Sequence, residues 1–324
     1  MSFWKQRRVL VTGCTGFLGW WLTTALVERG ARVVGLVRDH VPSSPFYLSG
    51  LADKVNVVRG SVEDYTAVER AVNEYDVDTV FHLAAQAIVG VAGRNPMSTF
   101  EANIKGTWVV LEACRRNDQV SRVVLASSDK AYGSKGPLPY SEDVPLMGEH
   151  PYDVSKSCAD LIALAYATTY KTPVCIARCG NLFGPGDLNF NRIVPGTIRS
   201  MLLGERPVIR SDGSPIRDYI YVEEIVEAYL LLAERMDDPA VIGHAFNFGT
   251  GEPVSVLSIA ERILALGGYS HVSPEVGNQA SGEVAQQYLS AKLASEMLGW
   301  KASRQLNDGL KATISWYDEH RGVL

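Results

Sequence analysis

Residues 9–19 read VLVTGCTGFLG, a short apolar strand that runs directly into three glycines spaced three apart, Gly13, Gly16 and Gly19. Glycine lets a backbone turn sharply and approach a ligand without interference from a Cβ atom. A helix that follows such a turn presents unpaired amides at its N-terminus, and these attract phosphate. The stretch predicts a diphosphate site; the alternative is a glycine-rich turn that binds nothing.

Strand and helix patterns alternate beyond this stretch. Apolar β-branched runs occur in ARVVGLV, VNVVRG, DTVFHLAA, RVVLASS and TPVCIARCGN. Between them, helical patterns predict helices at Trp20–Arg29, from about Val62 to Glu74, near Thr99–Arg116 and near Tyr152–Tyr170. This alternation indicates βαβ units, and we predict an α/β fold with a doubly wound parallel Rossmann sheet.

The regular alternation stops after about Cys179, where loops rich in Gly, Pro and Asn begin. We therefore predict a Rossmann domain over residues 1–178 and a smaller substrate-binding lobe over residues 179–324. The helical pattern YVEEIVEAYLLLAE and the apolar run HAFNFG lie near residues 219–250, and we expect them to return to the first domain. The two parts would then be interleaved.

The composition narrows the class of protein. The chain has 324 residues, of which 46% are hydrophobic, and a formal net charge of -5. That charge argues against nucleic acid or an anionic membrane as a partner, and no segment has the apolar length of a membrane span. Five cysteines without a CxxC pair, after an N-terminal stretch with no apolar signal core, predict a cytoplasmic protein without a metal site.

Tyr152 and Lys156 lie four residues apart on a predicted helix, in PYDVSKS. This spacing places both side chains on one face, where the ammonium favours the phenolate and lowers the pKa of the phenol. The pair can then exchange a proton with a substrate hydroxyl. The alternative is an ordinary Tyr and Lys on the surface of an amphipathic helix.

Polar residues follow the strand RVVLA, in the order Ser127, Ser128, Asp129 and Lys130. In open α/β sheets, ligands bind at the carboxyl ends of the strands. A serine there can share a hydrogen bond with a substrate oxygen and Tyr152, and Asp129 can serve as an acid. The alternative is a solvated polar turn at the end of a strand.

Taken together, these signals resemble the extended short-chain dehydrogenase/reductase family over essentially the whole chain. The matching strings are TGCTGFLG, FHLAAQ, EANIKGTWVVLEA, SSDKAYG, YDVSK, GNLFGPGD and RDYIYVEE. The acid after the serine in SSDKAYG is typical of the sugar-nucleotide 4,6-dehydratases. Asp followed by Lys is similar to the pattern of CDP-glucose 4,6-dehydratases in particular.

The resemblance implies catalytic roles for five residues. Ser128, Tyr152 and Lys156 would form the catalytic triad, Asp129 would be the acid and Lys130 the candidate base. The implied reaction converts a nucleotide-diphosphate hexose to a 4-keto-6-deoxy sugar: C4 is oxidised, water is lost across C5 and C6, and hydride returns to C6. The alternatives are a 4-epimerase that uses the same triad and, from another class, a non-catalytic NAD(P)-binding protein.

The resemblance also implies a tightly bound and recycled NADP or NAD. Arg38, at the end of the second strand, can face a 2′-phosphate and favours NADP, whereas Asp39 is compatible with NAD. The expected cofactor-binding residues are Gly13, Thr15, Gly16, Phe17, Leu18, Gly19, Arg38, Ser61, Val62, Leu83, Ala84, Ala85, Asn103, Tyr152 and Lys156.

For the substrate, we expect contacts from Gln86, Asn181, Arg192 and Arg217, because arginine presents fork-like donors to a diphosphate. Arg217 has the alternative of pairing with Asp218 or another carboxylate. Family members are commonly dimers, and a homodimer is expected here. Thr107, Val110 and Leu111 would either contribute to a dimeric helix bundle or cover the sheet, and His82 is expected to be a core residue without chemistry.

Overall fold

The computed structural model describes residues 3–277 and 284–324, in which strands and helices alternate along the first half of the chain. The strands are β1 (Arg8–Thr12), β2 (Arg32–Val37), β3 (Asn56–Arg59), β4 (Thr79–His82), β5 (Arg122–Ala126), β6 (Val174–Cys179), β7 (Asn181–Phe183), β8 (Val208–Ile209), β9 (Ile216–Tyr221), β10 (Ala245–Phe248), β11 (Pro253–Ser255), β12 (Glu275–Val276) and β13 (Gln286–Gln287). The helices are α1 (Phe17–Glu28), α2 (Pro45–Leu48), α3 (Tyr65–Glu74), α4 (Val89–Arg94), α5 (Pro96–Phe100), α6 (Gly106–Arg115), α7 (Pro151–Tyr170), α8 (Ile193–Leu202), α9 (Val222–Arg235), α10 (Val256–Leu266) and α11 (Leu306–Glu319).

Within these ranges, seven parallel strands form the main sheet in the order β10-β6-β5-β4-β1-β2-β3. The strand order reverses between β1 and β4, where Thr12 pairs with His82. Ligands of doubly wound sheets bind beside such a reversal, at the carboxyl ends of the strands. The prediction of a doubly wound parallel Rossmann sheet is confirmed.

The central strand β1 is buried on both faces. Val9 and Val11 pack into one hydrophobic cluster with α1 and α9, while Leu10 packs into a second cluster with α3, α6 and α7. Successive side chains of a strand point to opposite faces, so a continuous apolar run indicates a strand covered by helices on both sides. No helix in the described ranges is long and apolar enough to cross a membrane.

Later segments of the chain return to the main sheet. β10 pairs in parallel with β6, and its residues Phe246 and Phe248 are fully buried. Helix α9 packs against β5 and β6. The returning elements thus lie in 222–248, while the bounds of the two domains, 1–178 and 179–324, stay a prediction.

A second, smaller sheet forms around β9, which pairs with β7, β11 and β13. A separate hydrophobic cluster joins this sheet to α8, α10 and α11. Strand β13 lies in parallel register with β9, so that Gln287 is opposite Arg217. This register brings a residue from the last part of the chain to the carboxyl edge of the main sheet.

Several helix boundaries differ from the sequence prediction. Helix α3 begins at Tyr65 rather than Val62, because the Asp64 side chain caps it by accepting from the amides of Thr66 and Ala67. The single helix expected near Thr99–Arg116 consists of α5, a π-helical turn over Glu101–Lys105, and α6. Such π turns are frequent at functional sites.

Candidate active site

The three glycines of the loop after β1 have different surroundings. Gly13 has a φ of 76°, and a Cβ atom on it would lie 2.8 Å from the amide nitrogen of Ala84. A Cβ on Gly19 would overlap the carbonyl group of Gly13. On Gly16, by contrast, a Cβ would meet only the Gly13 carbonyl oxygen, at 3.3 Å. Gly13 and Gly19 therefore serve the turn and the helix packing, and Gly16 is the one open to a ligand.

This arrangement fits the diphosphate of a dinucleotide. Gly16 is the N-cap of α1 and offers no side-chain hydrogen bond to the amides of the first turn, at Phe17 and Leu18. Those amides and the helix dipole favour a negative charge at this end. Because Gly16 carries no side chain, a phosphate can come close to them.

A buried chain of hydrogen bonds supports the loop from below. The Thr12 hydroxyl accepts from the amides of Leu83 and Ala84, both at 3.2 Å, and lies 2.8 Å from Nδ1 of His82. Nε2 of His82 lies 3.4 Å from the hydroxyl of Thr107. Burial lowers the pKa of His82 to about 3, and the Lys156 charge acts in the same direction. His82 is thus a hydrogen-bonded core residue.

Asn103, which lies in the π turn, links two parts of the site. Its oxygen accepts from the amide of Gln86 at 2.7 Å, and its nitrogen donates to the carbonyl of Gln86 and to Ser155 of α7. Both of its N–H groups are therefore used within the protein. It holds the segment after β4 against the helix that carries Tyr152 and Lys156.

The residues expected around the adenosine part of the cofactor lie at the ends of β2 and β3. Arg38 is exposed and forms an ion pair with Asp39 at 2.6 Å. The hydroxyl of Ser61 donates to Glu63, and Val62 packs against Gly106. Two other expected cofactor residues, Thr15 in the glycine loop and Ala85 after β4, are half-buried. The charge of Arg38 is thus already paired in the protein alone.

Ser128 and Tyr152 meet at the carboxyl end of β5, and their hydroxyls are hydrogen-bonded. Burial raises the pKa of Tyr152 to about 12, opposed by that hydrogen bond, while the Asp129 charge raises the pKa further. The predicted net lowering of this pKa is therefore not found in the protein alone, because burial is the largest cause of the shift. The Lys156 ammonium lies 6.0 Å from the Tyr152 ring centroid.

Lys156 instead anchors the end of β5. Its Nζ donates to the carbonyl of Ala126 at 2.7 Å, and burial lowers its pKa to about 8. The Asp160 charge, one turn further along α7, opposes that shift. Asp160 also accepts a hydrogen bond from Ser127 and pairs with the buried Arg178 at 3.0 Å. Two side chains of α7 therefore fix the segment that leads into Ser128.

Asp129 and Lys130 lie on the 3-10 turn Asp129–Tyr132 that follows. One carboxylate oxygen of Asp129 accepts from Ser128 at 3.0 Å. The other, Oδ2, is buried without a hydrogen-bond partner among the described residues and lies 3.5 Å from Nζ of Lys130. Burial lowers the pKa of Lys130, although Asp129 acts to raise it. Desolvation thus outweighs the neighbouring carboxylate.

Sequence reasoning missed three residues of this site. Gln287 contacts both Asp129 and Lys130, and it comes from a two-residue strand without a motif that could have revealed it. Asp160 and Arg178 form the buried pair described above. Asp160 had a usable signal, since it lies four residues after Lys156 on the same helix.

The residues expected to bind substrate are arranged around this cleft. Arg192, at the start of α8, pairs with Asp187 at 3.0 Å, and its charge lowers the pKa of Tyr152. Arg217 is buried, and its charge lowers the pKa of Lys130. Asn181 donates to the carbonyl of Asp218, at 3.4 Å.

Backbone amides hold the side chains of Gln86, which is also expected to bind substrate, and of Asp218. The side-chain oxygen of Gln86 accepts from the amide of Ile88 at 3.1 Å. The carboxylate of Asp218 accepts from the amides of Thr250 and Gly251. It therefore holds the loop after β10.

The chain is similar to known proteins over most of its length. A model of the NAD dependent epimerase/dehydratase family matches residues 9–249. The CDP-glucose 4,6-dehydratase of Salmonella typhimurium is 30% identical, and the match covers 98% of this chain and 92% of that protein. The dTDP-glucose 4,6-dehydratase of Xanthomonas campestris is 28% identical, with coverage of 95% and 92%.

Solved structures of nucleotide-sugar enzymes have the same fold as this chain. The UDP-glucose 4-epimerase of Thermotoga maritima, solved with UDP-glucose, superposes with a TM-score of 0.88 at 28% identity and covers 97% of this chain and 99% of that one. A dTDP-glucose 4,6-dehydratase of Streptomyces venezuelae, solved with NAD, has a TM-score of 0.87 at 26% identity, with coverage of 97% and 98%. The resemblance stated from the sequence motifs is confirmed.

Proposed function

Because the chain belongs to the NAD dependent epimerase/dehydratase family, we propose that it is a nucleotide-sugar 4,6-dehydratase. The observation that carries this assignment is the pair formed by buried Asp129 and half-buried Lys130 beside the hydrogen-bonded Ser128 and Tyr152. Oxidation at C4 needs only the triad, whereas loss of water also needs an acid and a base. Asp129 and Lys130 can supply this acid and this base, and their side chains lie 3.5 Å apart.

The cofactor of the proposed reaction is NADP or NAD, held by the Gly13–Gly19 loop and the amides of the first turn of α1. Bound there, the nicotinamide ring supplies a hydride acceptor for C4 and a hydride donor for C6. Arg38 would contact the 2′-phosphate of NADP after leaving Asp39, whereas Asp39 would accept from the 2′-hydroxyl of NAD. We propose NADP as the preferred cofactor. Arg38→Ser should then weaken NADP binding by at least about tenfold and leave NAD binding within about twofold.

In the oxidation step, Ser128 holds the sugar O4 and Tyr152 takes its proton. The raised pKa of Tyr152 means that the phenol keeps its own proton in the protein alone. The phenolate of Tyr152 therefore forms only when a bound ligand brings positive charge into the cleft. Lys156 keeps β5 in place through the Ala126 carbonyl, so the two hydroxyls stay aligned.

In the elimination step, the 4-ketone acidifies the proton on C5. The amine of Lys130 takes this proton, while Asp129 gives its proton to the hydroxyl that leaves C6 as water. Lys130 returns the proton to C5 when C6 is reduced. Asp129 regains a proton from solvent, and Tyr152 releases to solvent the proton that it took from O4. Charge and atoms therefore balance over a turnover.

A nucleotide-sugar 4-epimerase is the second candidate, because it needs the same Ser128, Tyr152 and Lys156. The similarity to the Thermotoga maritima epimerase supports it. In an epimerase, Asp129 and Lys130 would have no proton to transfer. The burial of Asp129 Oδ2 without a hydrogen-bond partner in the described part of the chain favours the dehydratase.

Mass spectrometry separates the candidates. The purified protein is incubated with CDP-, UDP-, dTDP- and GDP-hexoses, and we expect loss of one water from at least one of them. A product of unchanged mass whose proton NMR spectrum is that of the C4 epimer would replace the dehydratase by the epimerase. Failure to reduce bound cofactor with every sugar offered would support a non-catalytic NAD(P)-binding protein instead.

For the substrate diphosphate, we propose Arg217 and Arg192, with Asn181 and Gln86 at its edges. The proposal is supported by their charges: Arg217 lowers the pKa of Lys130, and Arg192 lowers the pKa of Tyr152. Each guanidinium offers paired N–H donors to phosphate oxygens. Arg192 would exchange its contact with Asp187 for the phosphate.

We further propose a cytoplasmic homodimer that associates through α6 and α7. Thr107, Val110 and Leu111 cover the sheet of their own chain and are buried there, so they do not form the dimer face. The outward positions of these two helices carry Trp108 and Leu161, which are 42% and 57% exposed. Large exposed apolar side chains on two helices that pack against each other favour a second copy of the chain as the partner.

A further inference from the structure

Gln287 lies between the two residues that the proposed elimination step uses. It is fully buried on β13. Its nitrogen donates to the backbone carbonyl of Asp129 at 3.0 Å, and its oxygen accepts a hydrogen bond from Nζ of Lys130. One side chain from the last part of the chain therefore holds both members of the pair.

The orientation of the Gln287 amide follows from its partners. A backbone carbonyl can only accept a hydrogen bond, so the NH2 end of the side chain must face Asp129. The Gln287 oxygen is then turned to Lys130. The amide cannot be reversed without placing two oxygens in contact.

Lys130 consequently donates a hydrogen bond to the Gln287 oxygen, while the Asp129 Oδ2 atom lies 3.5 Å from its Nζ as an ion-pair partner. A neutral amine has two N–H groups and one lone pair. When one N–H group is directed at the Gln287 oxygen, the lone pair must point in one of the other directions, away from Gln287. A protonated Lys130 would have a third N–H there instead.

We propose that Gln287 is the positioning residue that presents Lys130 as the base for the C5 proton. The inference rests on the proposed dehydratase function. Gln287 acts through Lys130 and touches no reacting atom. Its amide suits this role because it accepts a hydrogen bond without adding a negative charge to the pocket.

A carboxylate at position 287 would act differently, because it would stabilise the ammonium form. The charges that already face Lys130 are Asp129 on its own turn, Asp153 on α7 and Arg217 on β9. Both aspartates act to raise the pKa of Lys130, and Arg217 acts with burial to lower it. Another carboxylate in direct contact would shift this balance toward the charged, non-basic form.

The first experiment measures Lys130 itself, without substrate. The NAD-loaded protein is labelled with acetic anhydride across a pH series, and the labelled fraction of Lys130 is read by peptide mass spectrometry. Gln287→Glu should move the labelling midpoint up by at least about one pH unit. The matched variant Gln286→Glu changes an exposed neighbour on the same strand, and it should move the midpoint by less than about 0.3 unit. An unchanged midpoint in Gln287→Glu would overturn the contact.

The second experiment separates the two chemical steps. Gln287→Met keeps the length of the side chain but accepts no strong hydrogen bond. It should slow exchange of the C5 proton with deuterated water by at least about tenfold, while reduction of bound cofactor stays within about twofold. Gln286→Met should change neither rate. Equal losses in both steps, or no loss, would overturn the positioning role.

The two proposals fail in different ways. If the unaltered protein removes no water from any nucleotide sugar, the dehydratase assignment fails while the labelling midpoint still decides whether Gln287 controls Lys130. If water is lost and Gln287→Met exchanges C5 at the full rate, only the inference about Gln287 fails. Thermal unfolding of each variant checks that the fold is intact.

Discussion

The Oδ2 atom of Asp129 lies 3.5 Å from Nζ of Lys130, and both side chains belong to the same 3-10 turn. Neighbours along an extended strand point to opposite faces, whereas a tight turn can bring them together. The turn after β5 thus assembles an acid and an amine from consecutive residues. Ser128, immediately before them, donates to the same carboxylate.

Replacing Asp129 by Asn should stop the elimination while leaving C4 oxidation in place. The amide cannot supply the proton for the leaving hydroxyl, so we expect loss of water to slow by at least about 100-fold. Reduced cofactor should accumulate and can be followed by its absorbance. Asp143→Asn, an exposed change in the loop that follows, is the control. An undiminished dehydration rate in Asp129→Asn would remove this residue from the mechanism.

The glycine loop offers a paired test of cofactor binding. Gly16→Ala should lower the melting temperature of the cofactor-free protein only slightly, because Gly16 has a φ of -79° and a Cβ would press on one atom, the Gly13 carbonyl oxygen at 3.3 Å. It should weaken dinucleotide binding by at least about tenfold, since a methyl group would lie where the phosphate approaches. Gly19→Ala should instead lower stability, by at least about 2 kcal/mol, through its clash with Gly13. Calorimetry measures both quantities, and full affinity in Gly16→Ala would contradict the placement of the diphosphate.

His82 should make the fold sensitive to acid. Its pKa falls from 6.5 to about 3 on folding, so the unfolded chain binds the proton more readily between these values. Its contribution to stability is complete above pH 6.5 and is lost as the pH falls toward 3; at most it amounts to roughly 5 kcal/mol. His82→Asn should flatten the fall in unfolding free energy over this range, as measured by urea titration, whereas the exposed His271→Asn should not. Parallel curves for His82→Asn and the unaltered protein would exclude this role.

The dimer proposal predicts that Trp108→Glu and Leu161→Glu each shift the protein toward the monomer. A carboxylate in an apolar interface must be desolvated without a partner, which typically costs several kcal/mol. Sedimentation velocity gives the oligomeric state. Leu203→Glu, at the end of α8, changes an equally exposed apolar side chain away from α6 and α7 and serves as the control. A dimer that persists in both α6 and α7 variants would require another interface.

The sequence carried enough information to predict the main sheet and the helix that carries both Tyr152 and Lys156. The apolar runs of β1 and β4 and the glycine spacing are local patterns, and Tyr152 and Lys156 are linked by helical periodicity alone. Helix ends were less predictable, because they depend on single contacts such as the Asp64 cap. The π turn around Asn103 has no local signal in the sequence.

The electrostatics of the site could not be predicted from spacing. Lys156 lies four residues after Tyr152 as expected, yet the phenol has a raised pKa because burial dominates. Burial is a property of the whole fold. Gln287 illustrates the same limit, since it reaches Lys130 from 157 residues away through a strand of only two residues.

The return of β10 to the main sheet has a consequence for synthesis. Strand β6 is fully buried, and one of its edges pairs with β10, which follows after the whole segment from β7 to α9. While that segment is being made, the nascent chain exposes an unpaired strand edge rich in apolar residues, the kind of edge that recruits other chains. We therefore expect a chain truncated before Ala245 to form aggregates rather than an isolated Rossmann domain.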